Sequence, residues 1–232
     1  MIRLLKYIGL TRKELLMNSF YLFLLGGMLA MLVIMLVCGR HLEMPAWKIV
    51  IFAVILTAVG YLGAKCMSFI ESGDWSGRSL FGSIFLAPVL MYPVAKIFKT
   101  PYGQLMDICA PAECIMLALL KVKCTIDGCC GGRTINLGGS SFVFPSQKVE
   151  CAVFLIIMII LAIMVFKDRY QGIVYPYYMV IYGVARFLLN LLRDTTPWIG
   201  PLPAGNFWSL ISIAIGIIAI ACIKRNSKKT AA

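Results

Sequence analysis

Charged residues are scarce in this sequence. Asp, Glu, Lys and Arg together make up only 14% of its 232 residues, against roughly 25% in soluble domains. Hydrophobic residues make up 61%, and this balance excludes an ordinary soluble domain and indicates a membrane protein. Neither a P-loop nor a dinucleotide-binding glycine signature is present, so nothing in the sequence indicates a nucleotide-binding enzyme.

Histidine is almost absent as well, since His41 is the only one. The topology predicted below puts His41 across the membrane from the polar residues of interest. This position excludes Ser-His-Asp and Cys-His catalytic arrangements beside those residues. A zinc ion bound by the neighbouring cysteines would also lack a fourth ligand, so we expect neither a metal site nor a cofactor.

Long apolar stretches are abundant. Seven of them predict an all-α integral membrane protein with about seven transmembrane helices, at residues 19–38, 49–64, 80–95, 105–120, 151–166, 172–192 and 207–223. Several contain only about 16 uncharged residues, short of the ~20 that a span needs, but flanking lysines can extend their charged ends to the interface. The stretches at 80–95 and 105–120 contain prolines, so we expect kinks in both.

The two ends of the chain differ from the predicted transmembrane domain, residues 19–223. Residues 1–18 mix Leu and Ile with Arg and Lys, which predicts an N-terminal amphipathic helix on the bilayer surface. A signal peptide is less favoured, because no small-residue cleavage site follows. Residues 224–232 are a basic tail. The net charge is +12, but its spread over the span ends favours anionic membrane lipid as a partner and no nucleic acid.

Orientation follows from the positive-inside rule. Tight loops with Lys96, Lys99, Lys167 and Arg169 lie on the same side as the C-terminus, so we expect a cytoplasmic C-terminus and an outer N-terminus. The connection over residues 121–150 is then extracytoplasmic. At about thirty residues it is too long for an ordinary turn. Its glycines suit either close approach to a ligand or a flexible surface loop.

The stretch at 172–192 carries an unusual polar face. Arg186, Asn190 and Arg193 are spaced four and three apart and so share one face of a helix. An ionisable residue in a spanning helix costs at least ~2.5 kcal/mol and is therefore a functional candidate. The alternative, that Arg186 extends to the headgroups, does not explain the alignment with its neighbours. With Lys121 and Glu150, the arginines would hold a phosphate and leave a carboxylate free for acid/base work.

Three stretches in the second half of the chain form a recognisable pattern. They are DICAPAECIMLALLKVKCTIDGCCGG (107–132), FPSQKVE (144–150) and YGVARFLLNLLRD (182–194). In sequence, order and spacing they resemble bacterial prolipoprotein diacylglyceryl transferases, from about Ser79 to the C-terminus. The resemblance implies a multi-pass enzyme of the bacterial plasma membrane. Its partners would be phosphatidylglycerol, the diacylglyceryl donor, and a lipoprotein precursor, whose cysteine thiol accepts the group as glycerol phosphate leaves.

Site residues are carried over from this resemblance one by one. Arg186 matches the family's essential arginine, Glu150 the glutamate after Pro-Ser-Gln, and Arg193 the second arginine of the late helix. We expect Glu150, Arg186 and Cys129 to be catalytic. The expected substrate-binding residues are Lys121, Gly132, Arg193, Asn190, Cys124 and Gln147.

The chain departs from the family pattern at several positions. Phe81 replaces a histidine, Lys121 an arginine, Cys124 an asparagine, Cys129 a glutamate and Asn190 another glutamate. Lysine keeps the positive charge but loses the two-pronged geometry that suits phosphate. These departures indicate a divergent branch with its own acceptor, or a reduced catalytic set. The alternative function is a non-catalytic lipid-binding or transport protein on the same scaffold, although the internal repeat of many transporters is not evident.

Three of the nine cysteines fall in the central signature: Cys124, Cys129 and Cys130. Their default role is small-residue packing in a tight loop. A disulfide from Cys124 to either of the others is an alternative if the loop faces an oxidising exterior. A sharper hypothesis is that Cys129, surrounded by cations, is a low-pKa thiolate that accepts the lipid group itself.

Overall fold

Helices account for most of the chain. The structure is a computed structural model that describes residues 12–137, 140–167 and 170–230. The helices within those ranges are α1 (Arg12–His41), α2 (Ala46–Ser72), α3 (Phe81–Ile97), α4 (Tyr102–Asp127), α5 (Ser146–Val165), α6 (Val174–Leu191) and α7 (Ala204–Thr230). A small antiparallel hairpin, β1 (Thr134–Leu137) and β2 (Ser140–Val143), lies between α4 and α5 with Thr134 opposite Val143.

The helices are those of a membrane protein, which confirms the predicted class. By length and composition, four segments can cross a bilayer: Tyr21–His41, Ala46–Ser72, Ser146–Val165 and Ala204–Asn226. Helix α3 is apolar but shorter. On α1, the exposed side chains Leu22, Leu25, Leu29 and Val33 recur at helical spacing, an aliphatic face that suits lipid rather than water. The predicted count of seven spans is not established by these criteria.

Helix α4 is the buried centre of the bundle, and residues 105–114 are all buried. Its Asp107 accepts hydrogen bonds from the backbone N–H groups of Gly172 (2.5 Å) and Val174 (2.9 Å) at the start of α6. A carboxylate at this position accepts hydrogen bonds from N–H groups at the α6 N-terminus that would otherwise lack a partner. The helix runs through Pro111 without interruption, so Asp107 and Lys121 are parts of one rigid element.

Successive helices run in opposite directions, and this brings the polar residues to one end. Helices α2, α4 and α6 finish where α3, α5 and α7 begin, and we call this end of the bundle the site end. Trp198 Nε1 donates to the Glu71 carbonyl there (2.8 Å). At the opposite end His41 packs against Phe166, with ring centroids 4.9 Å apart. The predicted separation of His41 from the polar residues therefore matches the geometry.

Several predicted boundaries need correction. Residues 1–11 of the expected amphipathic helix lie outside the described residues, and residues 12–18 form the first turns of α1. The 121–150 connection is shorter than expected, because α4 continues to Asp127 and α5 begins at Ser146. The basic tail continues helix α7 as far as Thr230. Its helical geometry persists because nothing in the sequence between 204 and 230 breaks the helix.

Candidate functional site: a carboxylate held by three cations beside a thiol cluster

Glu150 is the centre of the polar cluster. It lies in the second turn of α5 and its side chain is only 1% exposed. Its Oε2 lies 2.5 Å from Lys121 Nζ, while its Oε1 lies 2.8 Å from Arg186 Nη1 and 3.2 Å from Arg193 Nη1. The three cations come from different parts of the chain, and their side chains are 5 to 12% exposed. A buried carboxylate is tolerated here because cations contact both of its oxygens.

Arg193 reaches this cluster by a route that the sequence did not predict. Helix α6 ends at Leu191, so Arg193 is not on the helical face of Arg186. Instead it forms an antiparallel bridge with Gly132, next to a hydrogen bond from Arg133 N to Leu192 O (2.9 Å). The loop after α4 therefore aligns the guanidinium of Arg193. The expectation of one continuous polar stripe is wrong because the helix stops first.

The cluster carries excess positive charge. Three cations against one carboxylate leave a formal charge of +2 in a largely buried site. Moreover, the Nε atoms of Arg186 and Arg193 are buried and meet no hydrogen-bond acceptor among the described residues. Unpaired guanidinium donors and excess positive charge favour binding of an oxyanion such as a phosphate. The sequence predicted a free carboxylate, but both oxygens of Glu150 are engaged by cations.

A cavity of about 650 Å³ opens at the site end. Its walls include the side chains of Lys121, Arg186 and Arg193, together with Asn190 and Phe81. Volumes of this order accommodate a small-molecule ligand or the polar part of a lipid. The ends of α2 and α7, two of the helices long and apolar enough to cross a bilayer, contribute to its walls.

Gly132 and Gln147 shape the loop, and the substrate binding predicted for them stays a prediction. A Cβ atom at Gly132 would lie 2.0 Å from the Phe144 carbonyl oxygen, a distance that real atoms do not adopt. The site therefore requires glycine for close backbone approach. Gln147 Nε2 donates to the Cys129 carbonyl (2.6 Å) and so tethers the loop to α5.

Asn190 joins two helices. Its Nδ2 donates to Asn206 Oδ1 on α7 (2.6 Å), and a Cβ at Gly205 would lie 2.9 Å from the same amide. The side chain also lines the cavity. One N–H of its amide is paired with α7, so Asn190 helps to hold the cavity wall in position, and its predicted role in substrate binding stays a prediction.

The cysteines of the central signature form a compact cluster, which we call the thiol cluster: Cys124, Cys129 and Cys130. Their sulfur atoms all lie within 4.8 Å of one another. Gly128 explains this proximity, because its left-handed conformation (φ 69°) caps α4 and reverses the chain. The N–H groups of Gly128 and Cys129 then both donate to the carbonyl of Cys124.

The low-pKa thiol of the loop is Cys130, which corrects the prediction for Cys129. The Cys124 thiol donates to the Cys130 sulfur, and Lys121 and Arg193 add positive charge, so the pKa of Cys130 falls to about 5 against burial. The pKa of Cys129 is raised instead, by partial burial and then by the negative charge of Cys130. Sequence proximity to cations could not separate these two adjacent thiols.

The two thiols should therefore differ in the pH dependence of alkylation. The thiolate is the nucleophile, so iodoacetamide should modify Cys130 at a nearly constant rate above about pH 6. Modification of Cys129 should instead keep rising through pH 9, because its pKa is raised. Fragmentation of the alkylated peptide by tandem mass spectrometry after timed alkylation separates the two adjacent thiols, with Cys222 as an exposed reference thiol. Equal profiles for Cys129 and Cys130 would contradict the assignment.

One residue of the cavity wall, Glu71, was not among the predicted site residues. Ser79 Oγ donates to Glu71 Oε1 (2.7 Å), so the end of α2 presents a carboxylate to the same cavity. The feature of the sequence that could have indicated Glu71 is its position at the end of an apolar stretch, near Ser79. Phe81, which stands where the family resemblance predicts a histidine, is buried and packs edge-on against Tyr182, with centroids 5.5 Å apart. An aromatic core thus occupies the place of a polar group.

Comparison with known proteins identifies the family. A family model described as prolipoprotein diacylglyceryl transferase matches residues 66–222. Among similar proteins, phosphatidylglycerol–prolipoprotein diacylglyceryl transferases from Finegoldia magna and Geobacter sulfurreducens are 27% and 28% identical over 149 and 170 residues. These matches cover 61% and 65% of this chain.

A third relative of the same name, from Dehalococcoides mccartyi, is 22% identical over 203 residues, 77% of this chain and 78% of the relative. The chain spans only 60% of the Finegoldia magna protein and 64% of the Geobacter sulfurreducens protein. The family model nevertheless covers well over half of the chain, including every residue of the carboxylate and thiol clusters. The chain therefore belongs to the prolipoprotein diacylglyceryl transferase family.

Proposed function

We propose that this protein transfers the diacylglyceryl group of phosphatidylglycerol to the cysteine thiol of a lipoprotein precursor and releases glycerol phosphate. The observation that carries the proposal is the group of three cations around Glu150, with unpaired guanidinium donors, in a cavity at one end of a membrane-type bundle. The names of the relatives support the same reaction class.

The charge balance of the cluster suggests how a phosphate enters. A lipid phosphate and Glu150 compete for the same cations, so binding of the phosphate loosens the ion pairs on the carboxylate. Glu150 then becomes available to take the proton of the acceptor thiol. The thiolate attacks the glyceryl carbon next to the phosphate, a carbon–sulfur bond forms, and the carbon–oxygen bond breaks. The electron pair leaves with glycerol phosphate, whose growing charge Arg186 and Arg193 stabilise.

Our proposal for the membrane arrangement is seven spans with the site end at the outer leaflet of the bacterial plasma membrane. The four helices that are long and apolar enough to cross a bilayer support a multi-span arrangement. Helices α4 and α6 are less apolar because they carry the buried polar residues, which neighbouring helices shield from lipid. We retain residues 19–223 as the transferase domain and anionic lipid as the partner of the basic chain ends.

A lipid-transfer assay tests the function. The purified protein is incubated with phosphatidylglycerol of defined acyl chains and a peptide that carries a lipoprotein-type cysteine. Mass spectrometry should detect a peptide mass increase equal to one diacylglyceryl group, and glycerol phosphate should appear in equal amount. Phosphatidylethanolamine is the control donor. Phosphatidylglycerol binding without either product would instead support the non-catalytic lipid-binding alternative, which the replacement of the family histidine by Phe81 favours.

Thiol labelling tests the orientation. If the site end faces outward, a membrane-impermeant maleimide should label Cys129 or Cys130 in intact cells after mild reduction, because both are exposed. A control variant with both residues changed to Ser should lose this label. Labelling seen only with inside-out vesicles would reverse the proposed orientation.

A further inference from the structure

The thiol cluster has a geometry that phosphate binding does not explain. Its backbone is held at three points: Gly128 caps α4, Ser146 Oγ donates to the Cys130 carbonyl (2.8 Å), and Gln147 donates to the Cys129 carbonyl. Cys130 itself adopts a left-handed conformation (φ 60°) that residues other than glycine rarely adopt. Such conformations persist where the surroundings enforce them, and they concentrate at functional sites.

We infer that Cys124, Cys129 and Cys130 bind one soft divalent cation of the Zn²⁺ type through three thiolates, with a fourth coordination position open to the cavity. Thiolate ligands select such ions over Mg²⁺ and Ca²⁺. A tetrahedral ion with Zn–S bonds of ~2.3 Å separates its sulfur ligands by ~3.8 Å. The sulfurs lie within 4.8 Å of one another, so adjustments of about 1 Å complete the site.

The charges around the cluster suit such an ion. Three thiolates and one divalent cation leave a net charge of −1. Lys121 and Arg193 supply compensating positive charge close to the Cys130 sulfur. Second-shell groups of this kind hold metal ligands in position and adjust their basicity.

The missing fourth ligand does not exclude this site. Structural zinc sites are closed by four protein ligands, whereas catalytic zinc sites use three and leave one position for water or substrate. All three cysteines line the 650 Å³ cavity that also contains Arg186 and Arg193. An ion held by them therefore faces the space into which a phosphate and an acceptor thiol would enter.

The open position also suggests a chemical role, and this step rests on the proposed function. The sulfur of the acceptor cysteine occupies the fourth position as a thiolate, and Glu150 takes its proton, as in the proposed reaction. The bound thiolate attacks the glyceryl carbon, the carbon–oxygen bond breaks, and glycerol phosphate leaves with the electron pair. A metal-bound thiol is deprotonated at neutral pH, so the ion supplies a nucleophile where this chain lacks the family's histidine and glutamate.

Metal binding is tested on the full chain in detergent. The protein is reduced with a phosphine, equilibrated with Zn²⁺ and dialysed, and zinc is then measured against protein. One equivalent should be retained, with three sulfurs at ~2.3 Å in X-ray absorption spectra. Cys124→Ser, Cys129→Ser and Cys130→Ser should each weaken binding by more than the ~10- to 100-fold typical of losing an outer partner. Cys222→Ser, an exposed thiol of α7, should have no effect.

The outcomes separate the site from the proposed transfer reaction. Reduced wild-type protein that retains no zinc, or equal retention by all the serine variants, would overturn the metal site. Arg186→Ala should keep its zinc even where transfer is lost. With Co²⁺ in place of Zn²⁺, adding the cysteine peptide should change the visible spectrum, whereas a serine peptide should not. An unchanged spectrum would overturn the open position, and a change without any lipid transfer would overturn the proposed function alone.

Discussion

Arg186→Ala should lower the rate of diacylglyceryl transfer about 10²- to 10³-fold, the usual cost of losing one donor that stabilises developing charge. The guanidinium contacts Glu150 and has a buried, unpaired Nε, so it is prepared to bind a phosphate. Its interaction strengthens as the leaving glycerol phosphate gains charge, and turnover should therefore fall more than lipid affinity. Transfer kinetics and phosphatidylglycerol binding are measured on equal amounts of inserted protein.

The folded bundle should survive this change, because Lys121 and Arg193 still balance the charge of Glu150. Arg186→Lys should recover only part of the activity, since a point charge replaces a planar fork. Arg40→Ala, an exposed residue at the opposite end of the bundle, is the matched control. Near-normal transfer by Arg186→Ala would contradict the catalytic role. It would favour the alternative that the Arg186 side chain only reaches toward the lipid headgroups.

Glu150→Gln should have opposite effects on turnover and on lipid binding. A positioned base contributes ~10²- to 10⁴-fold to a rate, so transfer should fall by about that factor. Phosphatidylglycerol should bind more tightly, because its phosphate no longer competes with a carboxylate for Lys121, Arg186 and Arg193. Transfer assays and equilibrium lipid binding measure the two effects separately.

The same variant should be unstable without lipid. Removing one partner of a buried ion pair typically costs ~3–5 kcal/mol, because the remaining charges are left uncompensated. Thermal unfolding in detergent should therefore shift to lower temperature and recover more with phosphatidylglycerol than the wild type does. Glu43→Gln, exposed at the opposite end, is the control. Unchanged turnover would exclude Glu150 as the base, and weaker lipid binding would contradict the competition for cations.

Family membership and membrane class were accessible from the sequence because both depend on local patterns. Hydropathy along the chain predicted the helices, and the stretches around Cys129, Glu150 and Arg186 predicted the family that the comparison confirmed. The alternation of spans also predicted that these residues meet at one end of the bundle. The topology of a helical bundle depends on the number and order of its helices, and the hydropathy pattern along the sequence indicates both.

Helix ends and loop contacts were much less accessible. The polar face through Arg193 was wrong because α6 stops at Leu191, where the chain turns to pair with Gly132. Likewise, the first part of the long connection predicted over residues 121–150 is helical, because α4 continues to the glycine cap at Gly128. The end of α6 depends on a contact with the distant Gly132, and hydrophobic periodicity reports neither such contacts nor exact helix ends.

A helical membrane protein of the diacylglyceryl transferase family, with cations and thiols in its signature, was predictable from the order of residues. The ion pairs of Glu150 with Lys121, Arg186 and Arg193, and the lowered pKa of Cys130 rather than Cys129, became visible only in the folded chain. The physical reason is that ion pairing and pKa depend on distances of a few ångströms between residues far apart in the chain. Composition and spacing specify which groups are present, but folding sets those distances.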